Sequence, residues 1–149
     1  MNTVFPQANN MDMIFRILNE FDPSGEQKTS ISSKELLHER EGDYYLSALV
    51  FIGFAEKRGQ YYYLTDKGLT VYQTENPLQK IIKFAEMFFS NPILSDMYNK
   101  GLNFSPGQER KEFYAKYIHM NYGLLESTSE RRASTINSWF LWFEERIND

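Results

Sequence analysis

The 149-residue sequence contains no cysteine, which excludes a disulfide framework, a thiolate zinc site and a cysteine nucleophile. It has only two histidines, His38 and His119. Each falls on an expected helix without a clustered partner, so a packing or surface role is preferred over metal ligation or acid–base work. No Ser-His-Asp set and no Gly-rich loop of phosphate-binding spacing occurs. No apolar run approaches the roughly 20 residues needed to span a bilayer. The opening MNTVFPQANNMDM also lacks the basic-then-apolar order of a secretory signal. These absences predict a soluble, cytoplasmic protein without metal or cofactor, and not an enzyme by itself. An excess of positive charge is missing too: the net charge is −4. That argues against non-specific coating of nucleic acid, which needs a broadly basic surface to displace counterions. Specific recognition through a local basic patch stays open.

What is present is core material. Hydrophobic residues make up 42% and aromatics 16% of the chain, enough to rule out global disorder. The length suits one ordinary domain or two very small ones. Residues 1–9 read as a short loose arm. Asn10 then caps a first helix to about Glu20, with Met11, Ile14, Phe15 and Leu18 on one side. Asp22-Pro23-Ser24-Gly25 breaks it with strong turn chemistry. Ser32 to Glu35 forms a capping-box pattern that would open a helix through about His38, with Leu36 and Leu37 inward.

The stretch GDYYLSALVFIGFAEKRGQYYYLTDKG is the most diagnostic for organisation. Asp43 is the expected cap of a helix whose Tyr45, Leu46, Leu49, Val50 and Ile52 form an apolar face. Gly53 sits where a helix end needs a left-handed residue. Phe54 to Glu56 reads as a strand, Lys57-Arg58-Gly59-Gln60 as a tight turn, and Tyr61 to Leu64 as the returning strand. Alternation there buries Tyr62 and exposes its two neighbours. Thr65 caps a closing helix with Leu69 and Val71. Three helices, a hairpin and a helix make the winged-helix order, with Lys57 and Arg58 at the tip of the wing.

Asn76-Pro77 marks a boundary, with Asn as cap and Pro at the first helical position. The helix to about Phe89 would bury Leu78, Ile81, Ile82, Ala85 and Phe88. Asn91-Pro92 repeats the signal for a helix to about Lys100, ended by Gly101. Ser105-Pro106-Gly107-Gln108 opens another, with Phe113, Tyr114, Tyr117 and Ile118, and Asn121-Tyr122-Gly123 closes it. The last helix, Ser127 to Arg146, starts with the capping pattern Ser127-x-x-Glu130. Ala133, Ile136, Trp139, Phe140 and Phe143 form its apolar stripe. Arg131, Ser134, Thr135 and Ser138 fall on another face, the arrangement of a recognition helix. At an offset of 87 residues this helix echoes the earlier one. Tyr44 to Leu49 overlies Arg131 to Ile136, and Ile52 overlies Trp139.

YYLSALVFIGFAEKRGQYYYLTDKG resembles the winged-helix half of DNA-recognition regions in some type II restriction endonucleases and related uncharacterised bacterial proteins. RRASTINSWFLWF resembles the segment that tends to follow it in them, and together the two cover roughly residues 10–147. The resemblance implies tandem winged-helix-like subdomains reading a short DNA sequence, coupled to a separate nuclease domain or subunit. No nuclease site is evident here. Glu26-x-Lys28 and Glu109-x-Lys111 match only half of a magnesium site and lie on no expected strand, while Asp12 and Asp96 sit on expected helices.

The fold class expected is therefore mainly α with a small β-hairpin. A winged-helix subdomain (1–75) precedes a helical, helix-turn-helix-like subdomain (76–149). The expected function is sequence-specific binding of double-stranded DNA in restriction–modification, with a transcriptional regulator or a protein-interaction module as the alternatives. A homodimer is compatible with either. Candidate DNA contacts on the last helix are Arg131, Arg132, Ser134, Thr135 and Ser138, which suit phosphate, guanine edges or a thymine methyl. Tyr44 and Ser47 on the earlier helix join them, with Ala48 and Phe51 on the same expected exposed face. Lys57 and Arg58 on the wing complete the set.

Overall fold

The computed structural model describes residues 5–35 and 37–147. Among these the chain is mainly helical, with one two-stranded antiparallel sheet. The order is α1 (Met11–Asn19), α2 (Lys28–Lys34), α3 (Glu39–Ile52), β1 (Ala55–Arg58), β2 (Tyr61–Leu64) and α4 (Asp66–Gln73). Then follow α5 (Pro77–Phe89), α6 (Pro92–Gly101), α7 (Gln108–Tyr122) and α8 (Glu126–Ile147).

Where a helix start is written in two or three adjacent residues, the expectation holds. Asn10 accepts from Met13 N at 3.1 Å, Thr65 from Gly68 N at 3.3 Å, and Asn76 from Gln79 N at 3.1 Å. Asn91 accepts from both Ile93 N and Leu94 N, and Pro77 and Pro92 fill the first turns of α5 and α6. Gly53 and Gly123 close α3 and α7 at φ 108° and 69°, in the left-handed region.

Two starts differ, for a reason outside the local sequence. The Ser32–Glu35 box does not form. Instead Ser30 Oγ accepts from Gln27 N at 2.9 Å and lies 2.8 Å from Glu26 Oε1, so α2 begins before Ser32 and ends before Glu35. Glu26 is held in place by a backbone bridge to Tyr62, 2.9 and 2.8 Å in the two directions. Ser32 lies inside the helix and donates to His38 O at 3.1 Å. Leu36 lies outside the described residues, and Leu37 is half-buried. Helix α3 then starts a turn before Asp43, with Glu41 reaching back to His38 N. This places Gly42 at the crossing with α2, where an added Cβ would collide with Ser32 and with the Lys28 carbonyl.

The hairpin is tighter than expected. Lys57 pairs with Tyr62 and Arg58 with Tyr61, so both cations lie in β1 and only Gly59 and Gln60 make the turn. Gly59 has φ 64°. Tyr62 is buried and Tyr61 exposed, as strand alternation requires. Two later boundaries also shift. Gly107, not Ser105, precedes α7, because Glu109 folds back to accept from Ser105 N at 2.8 Å. Gly101 is the last residue of α6, as expected, and is buried where a side chain would strike the Tyr114 hydroxyl. Helix α8 starts at Glu126, so Ser127 sits within its first turn and not at a cap.

The core is built around the apolar stripe of α8. Ala133, Ile136, Trp139, Phe140 and Phe143 are all buried, as is Trp142. The Phe84 ring of α5 meets Phe54, Phe143 and Trp142 at 5.3, 5.3 and 5.6 Å. Phe88 meets Phe143 at 4.5 Å, and Phe15 of α1 meets Phe84 at 4.6 Å. Not every expected core residue is inside. Val50, Leu78 and Ile82 are exposed, Leu78 at 68%, because α3 and α5 turn Ala48 and Phe84 inward instead. The start of the chain is no loose arm from residue 5 onward. Phe5 wedges between Phe51 and Tyr122, 5.0 Å from each ring, and Trp139 Nε1 donates to Ala8 O at 2.8 Å. Residues 1–4 lie outside the described residues.

One buried group works against stability. Glu35, nearly inaccessible, has Arg16 Nε 2.8 Å away but out of line for donation, so neither carboxylate oxygen is hydrogen-bonded. Burial first, then the Glu20 charge, raises its pKa, with Arg16 opposing. A carboxyl raised above its unfolded value binds its proton more tightly when folded. It therefore loses stability as pH rises from the unfolded pKa through the folded one. Glu35→Gln is expected to raise the urea midpoint at pH 7, with the gain vanishing below about pH 4, where both forms are neutral. Trp139→Phe, which strands the buried Ala8 carbonyl, is expected to cost about 1–3 kcal/mol by the same measurement.

Candidate nucleic-acid interface

The long helix α8 crosses the molecule with its first turns free of the core. Arg131 and Ser134 are exposed there, while Ala133 and Ile136 anchor the opposite side. Arg131 makes only a long contact to Thr128 Oγ1 at 3.4 Å, so its guanidinium is available to solvent. Arg132 is half-buried. Burial lowers its pKa, the adjacent Arg131 charge lowers it further, and the Tyr44 charge opposes both. The two helices whose sequences echo each other approach at Phe51 and Trp139, whose rings stand 6.5 Å apart. Arg132 and Ser134, about 200° apart around α8, face different sides of it. Tyr44 and Ser47 are each partly exposed.

Other expected contacts are elsewhere. Thr135 is buried and donates to Asn9 Oδ1, so it faces the N-terminal segment and cannot reach a ligand. Ser138 is drawn to the same segment, 2.7 Å from Thr135 O and 3.1 Å from Asn9 O. On α3, Ala48 is fully buried, and Phe51 packs against Phe5 and against Trp139 at 6.5 Å. The expected exposed face of α3 is therefore halved. Its outer stripe instead runs through Arg40, Tyr44, Ser47 and Val50.

The hairpin cations divide between the two sides of the sheet. Arg58 is bonded to Glu56, with Nε 3.1 Å from the carboxylate, and lies over the Tyr63 ring at 4.9 Å. Lys57 lies on the other side, 5.6 Å from the Tyr62 ring. There it lines a polar cleft of about 390 Å³ with Lys28, Asp43 and Gln60. A second cleft, of about 550 Å³, runs between α7 and α8 beside Ser134, with Lys111, Lys116, Glu126 and Glu130 along it.

The remaining sequence candidates have structural duties. Glu26 is buried, accepts from Asp22 N at 2.9 Å and pairs with Lys34. Glu109 is tied to the Ser105 amide, Asp12 accepts from Trp142 Nε1 at 2.8 Å, and Asp96 accepts from Tyr117 at 2.7 Å. His119 Nδ1 lies 2.6 Å from Leu124 O, joining α7 to the turn before α8. Sequence reading missed Arg40, exposed on the first turn of α3. The signal was His38-x-x-Glu41, a capping pattern with histidine in a place where Ser, Thr, Asp or Asn is usual.

The molecule is thus a mainly helical domain on an aromatic core, with Arg131 and Ser134 exposed on the first turns of its last helix. It belongs to the family described as a domain of unknown function, DUF7226, which matches residues 13–148. No curated protein matches the chain. No solved structure matches it either. Among the described residues, no helix is long and apolar enough to cross a membrane.

The burial difference between neighbours on α8 is testable without a ligand. Thr135→Val, which removes the bond to Asn9, is expected to lower stability by about 1 kcal/mol. Arg131→Ala is expected to stay within about 0.5 kcal/mol of the parent. Urea denaturation followed by tryptophan fluorescence reads both.

Proposed function

We propose that this protein binds double-stranded DNA through the exposed face of the first turns of α8. The observation that carries this reading is Arg131, exposed there and bonded to no acid among the described residues, with Ser134 exposed one turn further on. Guanidinium groups bind phosphate or a guanine edge, hydroxyls bind phosphate, and both are offered here on a rigid helix. The order helix, helix, helix, hairpin, helix over residues 11–73 supports a winged-helix reading of the first half. On that reading the protein serves sequence recognition in restriction–modification, with a nuclease domain or subunit as partner; transcriptional regulation uses the same chemistry. The net charge of −4 favours a confined basic face over general attraction to DNA. With Ala48 buried and Phe51 packed on Phe5, α3 offers less reading surface than the first turns of α8.

A second reading, a protein-docking module, draws on Leu78 and Ile82, exposed one turn apart on α5. The two readings separate on salt. Duplex affinity measured by fluorescence anisotropy across a salt series is expected to fall steeply as salt rises. Arg131→Ala with Arg132→Ala is expected to weaken it at least about tenfold and to reduce the log–log slope by about two. Absence of duplex binding at low salt, or an unchanged slope in the double variant, would overturn the DNA reading and leave docking through α5.

A further inference from the structure

At the far end of the molecule from Arg131, the last turn of α8 closes a third cavity, of about 310 Å³, against α5 and α6. This is at the small end of ligand pockets. Three aromatic rings form its floor. Phe89 stands 5.1 Å from Tyr98 at an interplanar angle of 56°, and 5.3 Å from Phe143 at 63°. Phe89 and Tyr98 are partly exposed and offer ring surface to the cavity, while Phe143 is buried at its base. Ser95 and Asn99 of α6 and the Glu144 carboxylate complete the lining.

Among the described residues that line it, Glu144 alone carries a formal charge, and Arg110 pairs with that carboxylate from behind at 3.1 Å. Its Oε1 is fixed by two donors from behind, Tyr98 Oη and Arg110 Nη1, each at 3.1 Å. Arg110 is itself buried and bonded to Phe104 O at 3.2 Å, so it holds the carboxylate without entering the cavity. Those two bonds leave Oε2 for a ligand. The cavity also adjoins the last described turn of α8, and a helix C-terminal end carries partial negative charge.

Each class of ligand can be weighed against that lining. An anion would face Glu144 and the helix C-terminus together. A purely apolar ligand would cover a carboxylate and two polar side chains without bonding them. A cation with an apolar shell meets π faces on one side and a carboxylate oxygen on the other. We propose that this cavity is a binding site for an alkylammonium group, either on a small amine or on a modified lysine side chain. It is independent of the DNA reading and uses none of the same residues.

The test uses the full chain, labelled with nitrogen-15, titrated with choline and, separately, with its neutral isostere 3,3-dimethylbutanol. Choline is expected to give saturable shifts at the Ser95, Asn99 and Glu144 amides, with dissociation constants on the order of millimolar. The alcohol is expected to bind at least about fivefold more weakly. Tyr98→Phe, which keeps the ring, should retain choline binding. Ser95→Lys, which brings a rival cation to the rim without disturbing the core, should abolish it. Equal response to choline and the alcohol, no shift with choline, or full binding by Ser95→Lys would each overturn the proposal. With the site supported, a trimethyl-lysine peptide binding more tightly than choline assigns the ligand to a protein. Equal affinity assigns it to a free amine.

Discussion

Everything on the surface of this protein depends on how α8 is seated. Its aromatic stripe is one side of a core to which α1, α3, α5 and the N-terminal segment each bring a ring: Phe15, Phe51, Phe84 and Phe5. Dispersion and area burial supply the bulk of that stabilisation, but they are indifferent to small rotations of a helix. The Trp139 N–H is not. Buried, it needs an acceptor, and it finds the Ala8 carbonyl at 2.8 Å. That single directional bond, backed by Thr135 and Ser138 on Asn9, sets the rotation of α8 about its own axis. With the rotation set, Arg131 and Ser134 point outward and Arg132 is half-buried.

The same seating explains why two helices with similar sequences have different roles. In α3 the positions after Ser47 that match a reading surface, Ala48 and Phe51, are covered by the chain start and by Trp139. In α8 the equivalent positions, Thr135 and Ser138, are drawn to Asn9, and what stays exposed is Arg131, the counterpart of Tyr44. Apolar residues on a helix go wherever a neighbour offers a dry surface, and charged ones take what is left. The echo between the two helices is thus a shared pattern of cap and stripe, while the exposed chemistry of each is decided by what packs over it.

How much of this was legible in the sequence divides along the same line. Caps built from adjacent residues were readable: Asn76-Pro77, Asn91-Pro92 and Thr65 act through bonds spanning two or three positions. So were the hairpin strands and the stripe of α8, because their periods are set by the backbone. The start of α2 was not, since Ser32-x-x-Glu35 is a valid pattern that loses to Ser30 once Glu26 bridges to Tyr62. Nor was the burial of Thr135, which hangs on an asparagine 126 positions away. Leu78 and Ile82 failed for the converse reason. They are apolar at helical spacing, yet the core lies on the Phe84 and Phe88 side of α5. In the candidate site the arginines were visible by type, whereas the exposure of Arg40 and the covering of Ala48 and Phe51 came only with the packing.

The distribution of charge follows from these constraints as well. The acids are drawn into ties that hold elements together: Glu26 to α2 and Lys34, Glu144 to Arg110, Asp12 to Trp142 and Arg146. Each tie lowers the field that its carboxylate projects into solvent, because the partner's positive charge or N–H sits within bonding distance. Among the described residues Arg131 has no acid bound to it, although exposed Glu126 and Glu130 lie on the same first turns of α8. Which charges face solvent is thus decided by which acids are tied into the structure, and it is the aromatic seating of α8 that leaves Arg131 and these acidic neighbours outside.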